Sequence, residues 1–129
     1  MAAYEGQQST FGELTASTDL SSKQYHFVKL ASATQVTVCG AITDKPIGVL
    51  QNNPSSGGAA IVTTHGVSKL VADGTIAAGN ILGTSADGQG DAIAAGTDTT
   101  VYVAGQAIGA ASAGETFTAF INITNARAA

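Results

Sequence analysis

Two histidines, one cysteine and a pair of aspartates are the residues of this 129-residue chain with the most chemistry to offer. A histidine titrates near neutrality, a thiolate is a nucleophile, and neighbouring carboxylates hold cations or move protons. The spacing here supports none of those uses. His26 lies in a β-prone run and His65 beside a glycine, and neither has a Cys, Asp or Glu at the offsets of a zinc site. No serine occupies a Gly-x-Ser-x-Gly elbow, and the acids fall at turn-like positions. Asp87-Gly88-Gln89-Gly90-Asp91 resembles part of a calcium loop. It lacks the later acidic ligand, and Asp-Gly is a common hairpin dipeptide, so the segment reads as a plain turn. Gly79-Asn80-Ile81-Leu82-Gly83 enters a strand with no lysine behind it, which is not a phosphate loop. Cys39 has no partner for an internal disulfide and closes an alternating pattern, the position of a buried structural thiol. The expectation is a protein that is not an enzyme and needs no metal or cofactor.

The elements that would position these groups are short strands separated by glycine turns. Residues 25–30 are β-prone, and Val36 and Val38 alternate with Gln35, Thr37 and Cys39 as an inward-facing pair. Pro46 starts a strand over 47–51, and the loop 52–58 leads to another over 59–64. His65-Gly66 is read as a tight turn before a strand at 67–71, which Asp73-Gly74 ends. Residues 81–84 and 92–94 flank a hairpin at 85–90, and a strand over 101–108 precedes the last one. There Phe117, Ala119, Ile121 and Ile123 share one face, with Thr116, Thr118, Phe120 and Asn122 on the other. The same alternation turns Tyr102 and Phe120 outward, toward a covered surface if one face is buried; a barrel that buries both faces is the alternative. Segments 46–50 with 60–63 and 107–111 with 119–122 echo each other, which suggests two similar hairpins packed together. No 3.6-residue apolar period lasts beyond a turn. The fold class is all-β, one small barrel or sandwich with at most a short helix near 75–80.

Residues 1–22 are rich in Ser, Thr, Gln and Gly, with Tyr4, Phe11 and Leu14 among few sizeable apolar groups. They read as an extended arm, too sparse for a strand, that orders on a neighbour. The β-rich body is assigned to 23–125 and a short tail to 126–129. The hydrophobic fraction is 44%, but only 5% is aromatic and there is no Trp, so the core must be thin and burial against other chains would help it. Charged residues are 11%, and five Lys plus Arg cannot make the basic stripe of a nucleic-acid binder. Lys23, Lys29, Lys45 and Lys69 precede an acidic stretch of Asp73, Asp87, Asp91, Asp98 and Glu115. Either this is chance, or opposite charges join the chain to copies of itself or to a partner. No run approaches the ~20 apolar residues of a membrane-spanning helix, and the start lacks a secretory pattern. A cytosolic origin and no membrane partner are expected.

The order of parts is Lys45-Pro46-Ile47-Gly48-Val49-Leu50, the loop to Ala60-Ile61-Val62, Ala78-Gly79-Asn80-Ile81-Leu82, Ser85-Ala86-Asp87-Gly88, and Gly105-Gln106-Ala107-Ile108-Gly109 before 116–121. It resembles the capsid cement, or head decoration, proteins of tailed bacteriophages, over roughly residues 23–123. The resemblance implies a β-rich body on the outer surface of the virion's mature capsid, commonly a homotrimer, clamping neighbouring subunits of the major capsid protein. Tyr4, Phe11, Leu14, Tyr102 and Phe120 are the candidate contact residues. A carbohydrate- or surface-binding module of a fibre or adhesin, with Tyr102 and Phe120 stacking on sugar, is the competing reading.

Overall fold

A computed structural model describes residues 3–124, 126 and 127, and of Phe11 only the backbone. Nine strands follow in order: β1 (Gln8–Ala16), β2 (Phe27–Leu30), β3 (Gln35–Val38), β4 (Gly48–Leu50), β5 (Ala59–Val71), β6 (Ile81–Thr84), β7 (Gly90–Ala92), β8 (Gly105–Ala107) and β9 (Thr116–Asn122). They form one sheet in the order β1-β3-β2-β4-β5-β9-β8-β6-β7. Because β1 also pairs with β5, the first five close into a ring. The fold is a small all-β barrel, as its sequence leads one to expect, and the described residues contain no helix. At 75–80 Ile76 instead bridges Ala111, and a turn follows it.

Around the ring only β1 and β3 run parallel, with Thr15 opposite Gln35 and Ala16 opposite Val36. Inside it lie Leu14, Ala16, Leu20, Val28, Val36, Leu50, Ala60 and Val62. The second half of the sheet, β5-β9-β8-β6-β7, wraps a separate core built on Phe27, Val49, Leu70, Ile76, Leu82, Phe117 and Ile121. Its return to β5 is a single bridge from Gly90 to Ala72. Strands β2 and β4 serve both cores, since Val28 and Leu50 point into the ring while Phe27 and Val49 point the other way. Period-two alternation thus buries both faces of these strands, and each such side chain contributes roughly 1.5–3 kcal/mol. The β6–β7 hairpin tip reaches the same wall, where Phe27 N donates to Gly88 O at 2.6 Å. Gly88 has φ +77°, and a Cβ there would strike Val38.

Three expectations are corrected. The arm read at 1–22 contains a true strand: β1 runs antiparallel to β5 from Gln8 opposite Gly66 to Thr15 opposite Ala59. The register slips between Ser9 and Thr10 and again between Phe11 and Leu14, so alternation does not run through the strand and holds only at its end, with Leu14 and Ala16 inward. His65-Gly66 is no turn. It lies within a 13-residue strand, where Ser9 faces His65 but Thr10 faces Thr63, leaving Thr64 as the extra residue of a bulge. The bulge changes which parity of β5 faces which core: Val62 and Leu70 are both even, yet Val62 lines the ring and Leu70 the second core. Gly66 at φ +120° permits this, since a Cβ would collide with Gln7 O. Finally, strand structure begins at Phe27 rather than at residue 25, because Tyr25 has φ +65°. That left-handed conformation costs about 1–2 kcal/mol. It is held by hydrogen bonds from Tyr25 N to Leu50 O (2.7 Å) and from Val71 N to Tyr25 O (3.0 Å).

The two echoing segments do form neighbouring hairpin-like pairs. Leu50 lies opposite Val62 and Ala107 opposite Ala119, and β5 pairs β9 so that the two pairs sit side by side.

Candidate interaction surface

On β9, Phe117, Ala119 and Ile121 are buried and Phe120 turns outward with 37% of its surface exposed. Val67 on β5 and Gln106 on β8 lie opposite Phe120, and Ile81 on β6 lies opposite Gln106, giving one outward row across four strands. Ile81 and Phe120 are both exposed large apolar groups in that row. His65, one strand away, meets Phe120 edge-on with ring centroids 5.2 Å apart and planes at 82°. A cleft of about 450 Å³ opens on the His65 side of Phe120 and one of about 200 Å³ on the Gln106 side.

The chain ahead of β1 lies over the same face. Gly6 N donates to Val67 O and Val67 N donates to Gln7 O, both at 3.0 Å. Tyr4 N then donates to Thr118 Oγ1 at 2.8 Å, and that hydroxyl donates back to Tyr4 O at 3.0 Å. Outward-facing Thr118 is therefore buried, at 2% exposure, beneath backbone its own hydroxyl holds in place. Tyr4 keeps its ring exposed at the rim of an apolar cleft of about 350 Å³ that Ile108 and Phe117 also line.

The other sequence candidates separate. Leu14 belongs to the ring core, so it does not serve as an outward contact, and the side chain of Phe11 lies outside the described residues. Tyr102 is half-buried and far from open: Lys45 Nζ is 5.4 Å from its ring centroid and the Arg127 guanidinium carbon 5.1 Å. Its bridge to Arg127 and the bond from Val103 N to Ala126 O bring the C-terminal segment there.

His26 is buried, its Nδ1 is 3.1 Å from Gln24 O, and burial holds its pKa below the usual value of 6.5. Cys39 is a free, buried thiol whose pKa is pushed up to about 12, chiefly by burial, which disfavours its thiolate near neutral pH. In the 85–89 turn Ser85 Oγ accepts from Asp87 N and Gln89 N, both at 3.1 Å, as a plain hairpin turn requires. Asp91 has its pKa raised, by burial first and the Asp73 carboxylate second. No group of three or more His, Cys, Asp or Glu that could hold a metal ion occurs among the described residues. The one ion pair among them joins Lys29 to Asp44 at 2.8 Å. Burial disfavours the Asp44 carboxylate, but Lys29 and the amides of Gly40 and Ala41 outweigh it and lower its pKa.

No protein-family model and no curated protein matches this chain. Among solved structures it is similar to the N base of the head fiber gp8.5 of bacteriophage phi29, with a TM-score of 0.67 and 18% identity. The likeness covers 94% of this chain and 99% of that one, which establishes a shared fold.

Proposed function

We propose that this chain is a structural protein of a tailed-bacteriophage virion, carried on the outside of the head and without catalytic activity. The observation that supports it most is the fold likeness to a head-fiber base along nearly the full length of both chains. Within that reading the partner is the major capsid protein, and the chain acts as a cement, bridging neighbouring subunits as a homo-oligomer, a trimer. A protein that binds the assembled shell and not its separated subunits stabilises the shell by mass action, and modest contacts add up across many sites. A charge-poor body with large apolar groups exposed at Leu30, Ile42, Ile61 and Ile108 suits contact spread over area. Neither nucleic acid nor membrane is a partner in this reading.

The test is direct. Expanded capsids prepared without this chain should take it up, sediment with it, and melt at a higher temperature than bare shells. Absence of uptake overturns the reading, and uptake with no change in melting reduces it from cement to attachment.

A further inference from the structure

The side chains around Phe120 have a composition that points to one class of ligand. Gln7, Ser9 and His65 line the larger cleft, and Gln106, Asn122 and Thr124 the smaller. Amides, hydroxyls and an imidazole are present; carboxylate, ammonium and guanidinium groups are not. Gln8 also lines the larger cleft, but its amide is already committed, donating to Val67 O at 2.7 Å and to the carboxylate of Glu5, which lies outside the lining, at 3.0 Å, and accepting from Thr63 at 2.8 Å; Gln106 Nε2 likewise donates to Gly79 O at 3.1 Å. Among the described residues, Asn122, Thr124, Gln7 and Ser9 show no side-chain hydrogen bond, so their donors and acceptors remain available to a ligand.

Other ligand classes fit poorly. An anion or nucleic acid would meet no cation in either cleft. An extended peptide adds to a free strand edge, whereas β9 is paired on both sides, by β5 and β8. A purely apolar partner would strand the amides. A neutral sugar presents a face of C–H groups and a rim of hydroxyls that both donate and accept. Phe120, perpendicular to His65, supplies the apolar platform, and the amides on either side supply the rim.

We propose that the two clefts flanking Phe120 form one binding site for a neutral oligosaccharide, with Phe120 as the stacking platform. The site assigns to Phe120 alone the role that alternation gives to both outward aromatics, because Tyr102 is taken up by Lys45 and Arg127.

Cellohexaose, maltohexaose and chitohexaose, each titrated into the full chain and followed by amide NMR and calorimetry, test it, with polygalacturonate as the anionic comparator. At least one neutral hexasaccharide should shift the amides of Gly66, Val67, Gln106 and Ile121. Phe120→Ala should weaken that binding about tenfold or more, while Phe120→Trp retains it and Tyr102→Ala leaves it unchanged. No binding by any neutral hexasaccharide, equal binding by Phe120→Ala, or preference for the polyanion would overturn the proposal. Capsid uptake plays no part in this readout. A chain that binds sugar but not shells sinks the cement reading alone, and the converse result sinks this one alone.

Discussion

The two halves of the barrel solve the same problem differently. The ring is closed by a whole strand, β1, that pairs with β3 on one side and β5 on the other. The second half is closed by one bridge between Gly90 and Ala72, and its outer face carries Phe120, Ile81 and the clefts. Continuous pairing makes a rigid element, while a half-closed sheet leaves a face free for recognition. The lesson is that β1, a segment whose sequence reads as an arm, completes the half whose seam is closed by a whole strand.

Removal of residues 2–16 should therefore abolish folding, since it strips Leu14 and Ala16 from the ring and opens the edges of β3 and β5. Removal of 2–6 alone should leave a cooperative fold with its melting point lowered by only a few degrees, as read by circular dichroism. If the longer deletion stays folded, the contrast between the halves collapses. Next in size are Leu50→Ala in the ring and Phe117→Ala in the second core. These should cost about 2–5 and 3–5 kcal/mol respectively by denaturant titration. Because β2 and β4 belong to both cores, each variant should still unfold in one transition; two transitions would show that the halves are separable.

Gly66→Ala tests the bulge that hands β5 from one core to the other. The side chain would meet Gln7 O at a positive φ, so a loss of more than about 1 kcal/mol is expected. Thr118→Val removes the hydroxyl that holds Tyr4 and should cost about 1 kcal/mol. Its signature is faster amide exchange at Tyr4 and Gly6 with little change in the β1 strand; uniform acceleration would mean that the segment is integral to the sheet. The smallest effect comes from His26 on the shared wall. Its folded pKa is lowered, so the unfolded chain binds a proton first as pH falls. Stability should be full above about pH 6.5 and decline through that value until the folded group also titrates. His26→Gln should flatten this slope as pH falls through about 6.5, read from denaturant midpoints.

Much of this was legible in the chain. The last strand has the inward set Phe117, Ala119 and Ile121 because alternation survives there without interruption, and Val36 with Val38 reads equally well. Alternation fails where the register slips: Gly12 and Glu13 intervene between Phe11 and Leu14, and Thr64 is an extra residue, so β1 looked like an arm and β5 like two strands. Gly66 has the φ of a turn glycine, and sequence alone does not distinguish that from a bulge. For the outward residues, alternation gives direction but not neighbours. It turned Phe120 and Tyr102 outward alike, and only three-dimensional placement puts His65 beside one and two cations beside the other.

Ring closure has a consequence for the molecule at high concentration. A strand with unpaired amides and carbonyls is a template on which identical chains can stack into fibrils, and crowding many copies together raises that hazard. Between β1 and β5 no such template exists. At the far end of the sheet β7 is only three residues long with a carboxylate at its centre, Asp91. Concentrated solutions of this chain should accordingly resist amyloid formation, because β1 is paired along β5 in one half and the other half ends in a short, charged strand.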